Sequence, residues 1–478
     1  MNIQENGAPK RSQEEKMLDG IESDDLKAVL RAVVARDPDQ VEFHSAIHEV
    51  ILSLEPVFNK NPELLPILAQ LCEPERQIIF RVPWLDDSNN MQINRGFRIQ
   101  FSSAIGPYKG GLRFHPSVNA SIMKFLAFEQ CFKNALTGLP LGAGKGGSDF
   151  NPKGRSDGEI MRFCQSFMSE LFRHIAEDVD VPAGDIGVGS KEVGYLFGQY
   201  KRISNHFQGA LTGKGMEFGG SVCRPEATGF GVVFLAQELI ADRGGDRGSD
   251  LKDKRCVVTG AGNVARFCAV KLISSGAKVI AISDSKGTLV ATDAEGFTKE
   301  DLDQVKKIKS SHSGDLADFK SKNSIKYFGD KTKPWALEEV GNIDLAFPCA
   351  TQNEFDENDV EAVAKKGCWA VIEGANMPVT SSGAAALAAK EIIHVPGKMA
   401  NAGGVAVSGL EMAQNRTMGT WDGEDVYNRL QTIMKDIYHT AKQAAEGYGV
   451  ELGAGANIAA FLKVAEALKA QGAVVERN

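Results

Sequence analysis

Apolar residues recur at helical spacing near the start of the chain, where Leu26, Val29, Leu30, Val33 and Val34 share one face. After Asp37-Pro38-Asp39, the run Val41, His44, Ile47, His48 and Ile51 predicts a second helix. Asn61-Pro62 opens a third, through Leu64, Leu65, Ile67, Leu68 and Leu71. From Ile78 to Trp84 and from Met91 to Ala104 the pattern turns to β-branched and aromatic residues, with Gln92 and Asn94 alternating against Ile93. Ser117 is the expected cap of a helix reaching about Thr137, with Val118, Ile122, Phe125, Leu126, Phe132 and Leu136 apolar. A further helix is predicted over 156–175. The first half thus opens as helices and becomes a sheet.

Beyond Lys254 the pattern changes to short apolar runs: Arg255 to Thr259, Lys278 to Ser283, Ile343 to Phe347, Cys368 to Ile372 and Ile392 to Val395. They alternate with helical stretches near 263–275, 298–309, 356–366 and 380–390. That alternation predicts an α/β doubly wound parallel sheet. Amphipathic helices from about Val426 to His439 and from Asn457 to Ala470 close the chain.

The first of these runs leads into Gly260-Ala-Gly262-Asn-Val-Ala265 and then a helix, and the second ends at Asp284. In that setting the glycine pattern is a dinucleotide fingerprint, placing a pyrophosphate at the helix N-terminus. An acid at position 284 suits the free ribose hydroxyl of NAD. Ser285 and Lys286 follow it, with Lys306, Lys307 and Lys309 further on, and can bind a 2′-phosphate. NADP is therefore preferred, with NAD as the alternative. The other strand ends carry Ala350-Thr351-Gln-Asn353, Glu373-Gly-Ala-Asn376 and Asn401-Ala-Gly-Gly404, polar amides suited to a nicotinamide ribose.

The chain has 478 residues, long enough for two or three domains, and a formal net charge of −8, which argues against nucleic acid or an anionic membrane as partner. Residues 1–20 are polar and acidic, unlike a secretory or transit segment, so a cytoplasmic location is expected. Eight scattered cysteines lack Cys-x2-Cys pairs and read as reduced thiols. His44 and His48, spaced i, i+4, lack a metalloprotease motif and read as a packed or solvated helix face, so no metal is expected.

Charge is distributed unevenly. Between Arg95 and Arg155 lie nine basic residues and two acids, against 54 and 62 in the whole chain. Such a local excess attracts a small anion even in an acidic protein. Three lysines here sit on turn-like or helical scaffolds. Lys109 lies in Gly106-Pro-Tyr-Lys-Gly-Gly111, and Lys133 stands i, i+3 from Gln130 on a helix. Lys145 lies in the glycine-rich turn expected over Gly138 to Asp149. Converging, they would suit a substrate with two carboxylates. Asp185, isolated in Val181-Pro-Ala-Gly-Asp-Ile-Gly-Val-Gly189, reads either as a loop hydrogen-bonder or as a proton-transfer group with a raised pKa.

Six stretches in order, Pro107 to Pro116, Leu139 to Asp149, Val181 to Gly189, Arg224-Pro-Glu-Ala-Thr-Gly229, Glu373 to Pro378 and Asn401 to Gly404, together resemble the glutamate dehydrogenases. The resemblance covers nearly everything after residue 25. It is to the hexameric, NADP-dependent class within the Glu/Leu/Phe/Val dehydrogenase superfamily. It implies reversible reductive amination of 2-oxoglutarate with ammonium and NADPH to L-glutamate, in a cytoplasmic homohexamer. It also implies a substrate-binding and oligomerisation domain over 21–220 plus 453–478, and a Rossmann-type dinucleotide-binding domain over 221–452.

By the same resemblance Lys109 and Ser408 hold the side-chain carboxylate and Gln130 and Lys133 the α-carboxylate, with Gly111 in the substrate-binding set. Lys145 and Asp185 are catalytic. Thr228 anchors the nicotinamide amide, and Arg224, Gly260, Gly262, Asn263, Val264, Ala350, Thr351, Asn376 and Asn401 line the cofactor. Ser285, Lys286 and Lys309 lie near the ribose phosphate, with Asp284 also in the cofactor-binding set. Desolvation and the neighbouring Lys109 and Lys133 are expected to depress the pKa of Lys145. A dehydrogenase for an apolar amino acid is the nearest alternative, and a buried lysine at position 109 speaks against it.

Overall fold

In the computed structural model, which describes residues 17–310, 314–320 and 324–472, the first helix runs Asp24–Arg36 behind a cap in which Leu26 N donates to Ser23 Oγ. Its stripe of Leu26, Leu30 and Val33 is buried, as the periodicity requires. Helices Val41–Lys60 and Leu65–Leu71 follow. His44 is buried on Val41–Lys60, while His48 on the same helix bonds the Asp19 carbonyl. The expected polar extension lies outside the described residues up to position 16.

A five-stranded sheet comes next, ordered β1 (Arg76–Leu85), β2 (Met91–Ser102), β4 (Ala143–Ser148), β3 (Tyr108–Phe114) and β5 (Asp180–Gly184). The β1–β2 and β2–β4 pairings are antiparallel, and β4–β3 and β3–β5 are parallel. On one face Phe97, Ile99 and Phe101 pack under the helix Ala120–Leu136. On the other, Leu112 and Phe114 meet Phe163 and Phe167 of the helix Asp157–Leu171, beside the helix Ser190–Ser204. The cap of the helix Ala120–Leu136 is Asn119, whose Oδ1 accepts from Ile122 N, and not Ser117, whose hydroxyl and backbone N–H pair with the His115 ring instead. A carboxamide side chain closer to the first turn displaces the hydroxyl.

The expected glycine-rich turn is in large part a strand. Gly138 to Leu141 do turn, but Ala143–Ser148 is fully buried between β2 and β3, with Lys145 opposite Ile99. Alternation along a strand puts Gly144 and Gly146 on the face away from Lys145. There the Arg98 side chain crosses: a Cβ on Gly146 would lie 3.0 Å from Arg98 Cδ. These glycines therefore make way for an arginine beneath the sheet.

The second half holds a seven-stranded sheet ordered β12 (Ile393–Val395), β11 (Ala370–Ile372), β10 (Leu345–Phe347), β6 (Arg255–Val258), β7 (Lys278–Ser283), β8 (Gly287–Ala291) and β9 (Ile325–Gly329). The expected parallel arrangement holds from β12 to β7, but β7–β8 and β8–β9 are antiparallel. Both carry buried apolar residues, Leu289, Val290 and Ala291 on β8 and Ile325 on β9, and the sequence reading passes over them. The chain leaves β6 towards β7 and β10 towards β11, so the topological switch point lies between β6 and β10.

The last helices are longer than expected, Gly423–Tyr448 and Leu452–Ala470. The terminal one returns to the first half: Phe461 meets Phe58 with ring centroids 5.5 Å apart, and Lys463 Nζ donates to the Ala135 carbonyl at 3.1 Å. Lys398, just beyond β12, reaches Glu129 on the helix Ala120–Leu136 at 3.0 Å. All eight cysteines are free thiols. Among the described residues there is no cluster able to hold a metal ion and no helix long and apolar enough to cross a membrane.

Candidate active site

Three strands deliver the central group. Lys145 comes from β4, Arg113 from β3, and Asp185 from the turn just after β5. Lys145 Nζ lies 2.8 Å from Asp185 Oδ2 and Arg113 Nε lies 3.4 Å from the same oxygen, while Ile186 N donates to Asp185 Oδ1 at 2.8 Å. A Cβ on Gly111 would stand 2.8 Å from Asp185 Cβ and 3.4 Å from Lys145 Nζ. Glycine at that position therefore lets the acid and the amine meet.

Charge in this pocket is unbalanced, and the imbalance sets its titration. Burial lowers the Lys145 amine, and Arg113 and Arg98 lower it further against the pull of Asp185. Burial would raise the Asp185 carboxyl, but Lys145 and Arg113 outweigh it and hold it down at about 2. The raised pKa considered for Asp185 is thus corrected. The acid is isolated along the chain and crowded by cations in space. Burial leads, as expected, and among the neighbouring cations Arg113 and Arg98 come first rather than the expected Lys109 and Lys133.

Lys133 is pushed down to about 8 by burial and then by Lys145. Its Nζ donates to Asn376 Oδ1 at 2.9 Å, joining the helix Ala120–Leu136 to the end of β11. Gln130 shares that helix, but its amide donates to Asn134 Oδ1 at 2.7 Å. Asn134 in turn donates to the carbonyls of Lys109 and Gly142.

Lys109 is fully buried, its Nζ donating to the Val181 carbonyl at 2.9 Å. Burial, then Arg224 and Arg98, press its amine well below the ordinary lysine value. Arg224, which the resemblance places with the cofactor, stands beside Gly404 next to Thr228 and also reaches Ser408, its Nε donating to the Ser408 hydroxyl at 3.1 Å. Lys109, Arg224 and Ser408 therefore form one group, with Lys109 and Ser408 buried and Arg224 half-buried, backed by the fully buried Lys214–Glu411 pair.

The cofactor residues gather at the switch point. Gly260 turns with φ +89, and Gly262 caps the helix Asn263–Ser274. Asn263 Nδ2 donates to the Pro225 carbonyl at 2.7 Å, and Val264 packs beside Gly374. Thr228 touches Gly404, and Ala350 and Thr351 open the loop after β10, where Ala350 N donates to Glu354. Asn401 Nδ2 donates to the carbonyls of Gly374 and Ala375 and to Asn376 Oδ1, while its buried Oδ1 has no hydrogen-bond partner among the described residues. Such an oxygen fits an amide donor such as that of nicotinamide.

At the other end, Asp284 is already satisfied. Its Oδ1 accepts from Lys286 N and Gly287 N, and its Oδ2 pairs with Lys309 Nζ at 2.9 Å. Ser285 is exposed beside it, and Lys286 Nζ reaches Asp315 at 3.0 Å. A neutralised acid flanked by a hydroxyl and an exposed ammonium fits a ribose phosphate better than an anionic Asp284 alone would.

Two residues of this site escape the sequence reading. Arg113 stands i+2 and i+4 from Gly111 and Lys109 on one strand, so period-two alternation is a signal that places all three on one side. Arg98 pairs with Asp180 in a fully buried ion pair, its Nε donating to Asp180 Oδ2 at 2.9 Å and its Nη1 to the Gly110 carbonyl at 3.3 Å. That partnership joins β2 to β5 across 82 residues and leaves no local trace.

Comparison with known proteins gives the family. Residues 219–472 match the family model described as Glutamate/Leucine/Phenylalanine/Valine dehydrogenase, and residues 74–202 match its dimerisation domain. An NADP-specific glutamate dehydrogenase of Chlorella sorokiniana is 58% identical over 96% of this chain and 86% of its own length. The NADP-specific glutamate dehydrogenase of Escherichia coli is 50% identical over 94% and 99%. The crystal structure of Plasmodium falciparum glutamate dehydrogenase superposes with a TM-score of 0.89 at 48% identity, covering 95% of this chain and 97% of that one. The chain belongs to the Glu/Leu/Phe/Val dehydrogenase family.

Proposed function

We propose that this chain catalyses the reversible reductive amination of 2-oxoglutarate: 2-oxoglutarate, ammonium, NADPH and a proton give L-glutamate, NADP and water. The observation that carries the reading is a set of cations, the buried Lys109, Lys145 and Arg113 with the half-buried Lys133 and Arg224, and with Asp185 the carboxylate paired to Lys145 and Arg113. Such a surplus awaits a dianion. Lys109, Arg224 and Ser408 hold the side-chain carboxylate, and Lys133, Gln130 and Gly111 hold the α-carboxylate end. An apolar side chain would leave Lys109 and Arg224 buried without a counter-charge, which disfavours the leucine-type alternative.

NADPH, when bound, supplies the hydride; the chain supplies placement and proton management. Thr228, Asn263, Val264, Asn376 and Asn401 hold the nicotinamide end, and Ser285, Lys286 and Lys309 the ribose phosphate. In deamination the neutral Lys145 amine removes a proton from the water that adds to the carbon of 2-iminoglutarate. Asp185 passes protons to and from the substrate nitrogen. The substrate's two negative charges offset the cationic surplus on binding, which lifts Asp185 from about 2 towards a range where it can accept a proton.

Residues 21–220 with the returning terminal helix form the substrate-binding and oligomerisation domain in this reading, and 221–452 the dinucleotide-binding domain. Ile79, Met91 and Ile93 expose more than half their surface on β1 and β2, apolar area that suits a subunit contact in a cytoplasmic homohexamer.

Absorbance assays with 2-oxoglutarate and ammonium test the proposal. Oxidation of NADPH is expected, with NADH far slower. Lys145→Ala is expected to lower kcat by more than about 100-fold while binding of 2-oxoglutarate persists. Absence of turnover refutes the reaction, equal use of NADH refutes the cofactor assignment, and near-normal kcat in the variant refutes the role of Lys145.

A further inference from the structure

We propose that Arg113 is the positioning residue of the Lys145–Asp185 pair, holding the Asp185 carboxylate in place and supplying the third charge of a two-cation, one-anion cluster. This rests on the roles proposed above for Lys145 and Asp185.

The Arg113 side chain is about nine-tenths buried at 11% exposure, and its Nε has no hydrogen-bond partner among the described residues. The group it faces is Asp185 Oδ2, at 3.4 Å, which is an ion-pair separation longer than a strong hydrogen bond. A buried guanidinium N–H left unbonded is costly, so a small movement that closes this gap is favourable. Contraction of the pocket around a dianion is such a movement.

Backbone placement supports the same role. Arg113 is in register with Gly147 of β4, and Leu112 with Gly184 of β5, so the guanidinium rises from the strand lying between those that carry Lys145 and Asp185. Asp185 itself is anchored on its other oxygen by Ile186 N. One oxygen is thus held by backbone, and the other lies within ion-pair reach of Lys145 and Arg113 without a hydrogen-bond partner among the described residues.

The remaining charged groups facing the pair are Lys133 from the helix Ala120–Leu136 and Arg98 from beneath β4. Lys133 is held by Asn376 and Arg98 by Asp180. Arg113 is thus the cation bound most directly to the pair, and its charge opposes protonation of both members.

The test is the pH profile of glutamate oxidation in Arg113→Met, Arg113→Gln and Arg113→Lys. Activity rises as the Lys145 amine loses its proton. Removing a neighbouring cation raises that pKa, so the rising limb moves to higher pH, by about one unit or more. The Met and Gln variants should also lose kcat by roughly 10- to 100-fold as the carboxylate swings free. Arg113→Lys should restore the limb but not the full kcat, because it returns the charge without the planar Nε.

A merely structural arginine would lower kcat at every pH and leave the limb where it was. An unmoved limb in Arg113→Met overturns the inference, with Arg113→Gln replacing it should the Met variant lose its helical circular dichroism. Asp185→Asn separates the two levels. Its collapse in kcat together with an unmoved limb in Arg113→Met condemns only the role of Arg113, whereas normal kcat in Asp185→Asn condemns the reading of the pair itself.

Discussion

Gly111→Ala adds one methyl group where β3 passes the active pair, and its consequence can be worked from distances. The new Cβ would sit 2.8 Å from Asp185 Cβ, 2.9 Å from the Gly184 carbonyl oxygen and 3.4 Å from Lys145 Nζ. Ordinary contact begins near 3.4 Å, so Asp185 must retreat by 3.4 − 2.8, or about 0.6 Å. The Gly184 oxygen is backbone of β5 and cannot swing aside as a side chain would. Gly111 is not among the residues with a left-handed φ, so the alanine meets no backbone penalty and the effect is steric. Overpacking of this kind costs about 1–3 kcal/mol of stability. Displacing a catalytic carboxylate by such a distance is expected to lower kcat by roughly 10- to 100-fold. Steady-state kinetics with saturating 2-oxoglutarate, ammonium and NADPH read the second effect, and urea unfolding reads the first. A variant within about twofold of the parent kcat would refute the claim that glycine here serves the Lys145–Asp185 contact.

Three further outcomes follow from the same structure. Asp180→Asn leaves the fully buried Arg98 guanidinium without its counter-charge, so unfolding in urea should show a loss of about 3–5 kcal/mol, partly recovered in the Arg98→Met, Asp180→Asn double variant; a loss under about 1 kcal/mol would count against the pair. Lys133 titrates at about 8 in the free site. Its cation is present below that value and lost above it, so kcat/KM for 2-oxoglutarate should fall as pH rises through about 8 and kcat should fall less; a flat profile across about pH 7–9 would remove Lys133 from the carboxylate site. Lys109→Leu with Ser408→Val removes one cation and one hydroxyl from the side-chain pocket, so glutamate kcat/KM should drop by roughly 100-fold or more while an apolar amino acid gains; unchanged glutamate kinetics would dismiss this pocket.

The sequence by itself determined the local elements and much of the chemistry. Helical periodicity located the helices from Leu26 to Leu71 because amphipathic faces are written at short range. The dinucleotide loop was legible because strand, glycines and helix are contiguous between Arg255 and Ser274. Lys109, Lys145 and Asp185 were picked out by the stretches around them, and their resemblance to a known family supplied the roles. What surrounds each charge was decided only by the tertiary structure. Asp185 is alone along the chain, yet β3 and β4 bring Arg113 and Lys145 to it and reverse the expected direction of its pKa. The run around Lys145 reads as a turn from composition, but pairing with Ile99 on one side and with β3 on the other makes it a strand whose glycines accommodate Arg98. Arg224 reaches Ser408, 184 residues away, and β8 and β9 went unread although they carry Leu289, Val290 and Ile325 in the core. Hydrophobic pattern and backbone preference act over a few residues and are visible in order along the chain. Electrostatic environment depends on which charges the fold places within a few ångströms, and that is fixed by strand order and register.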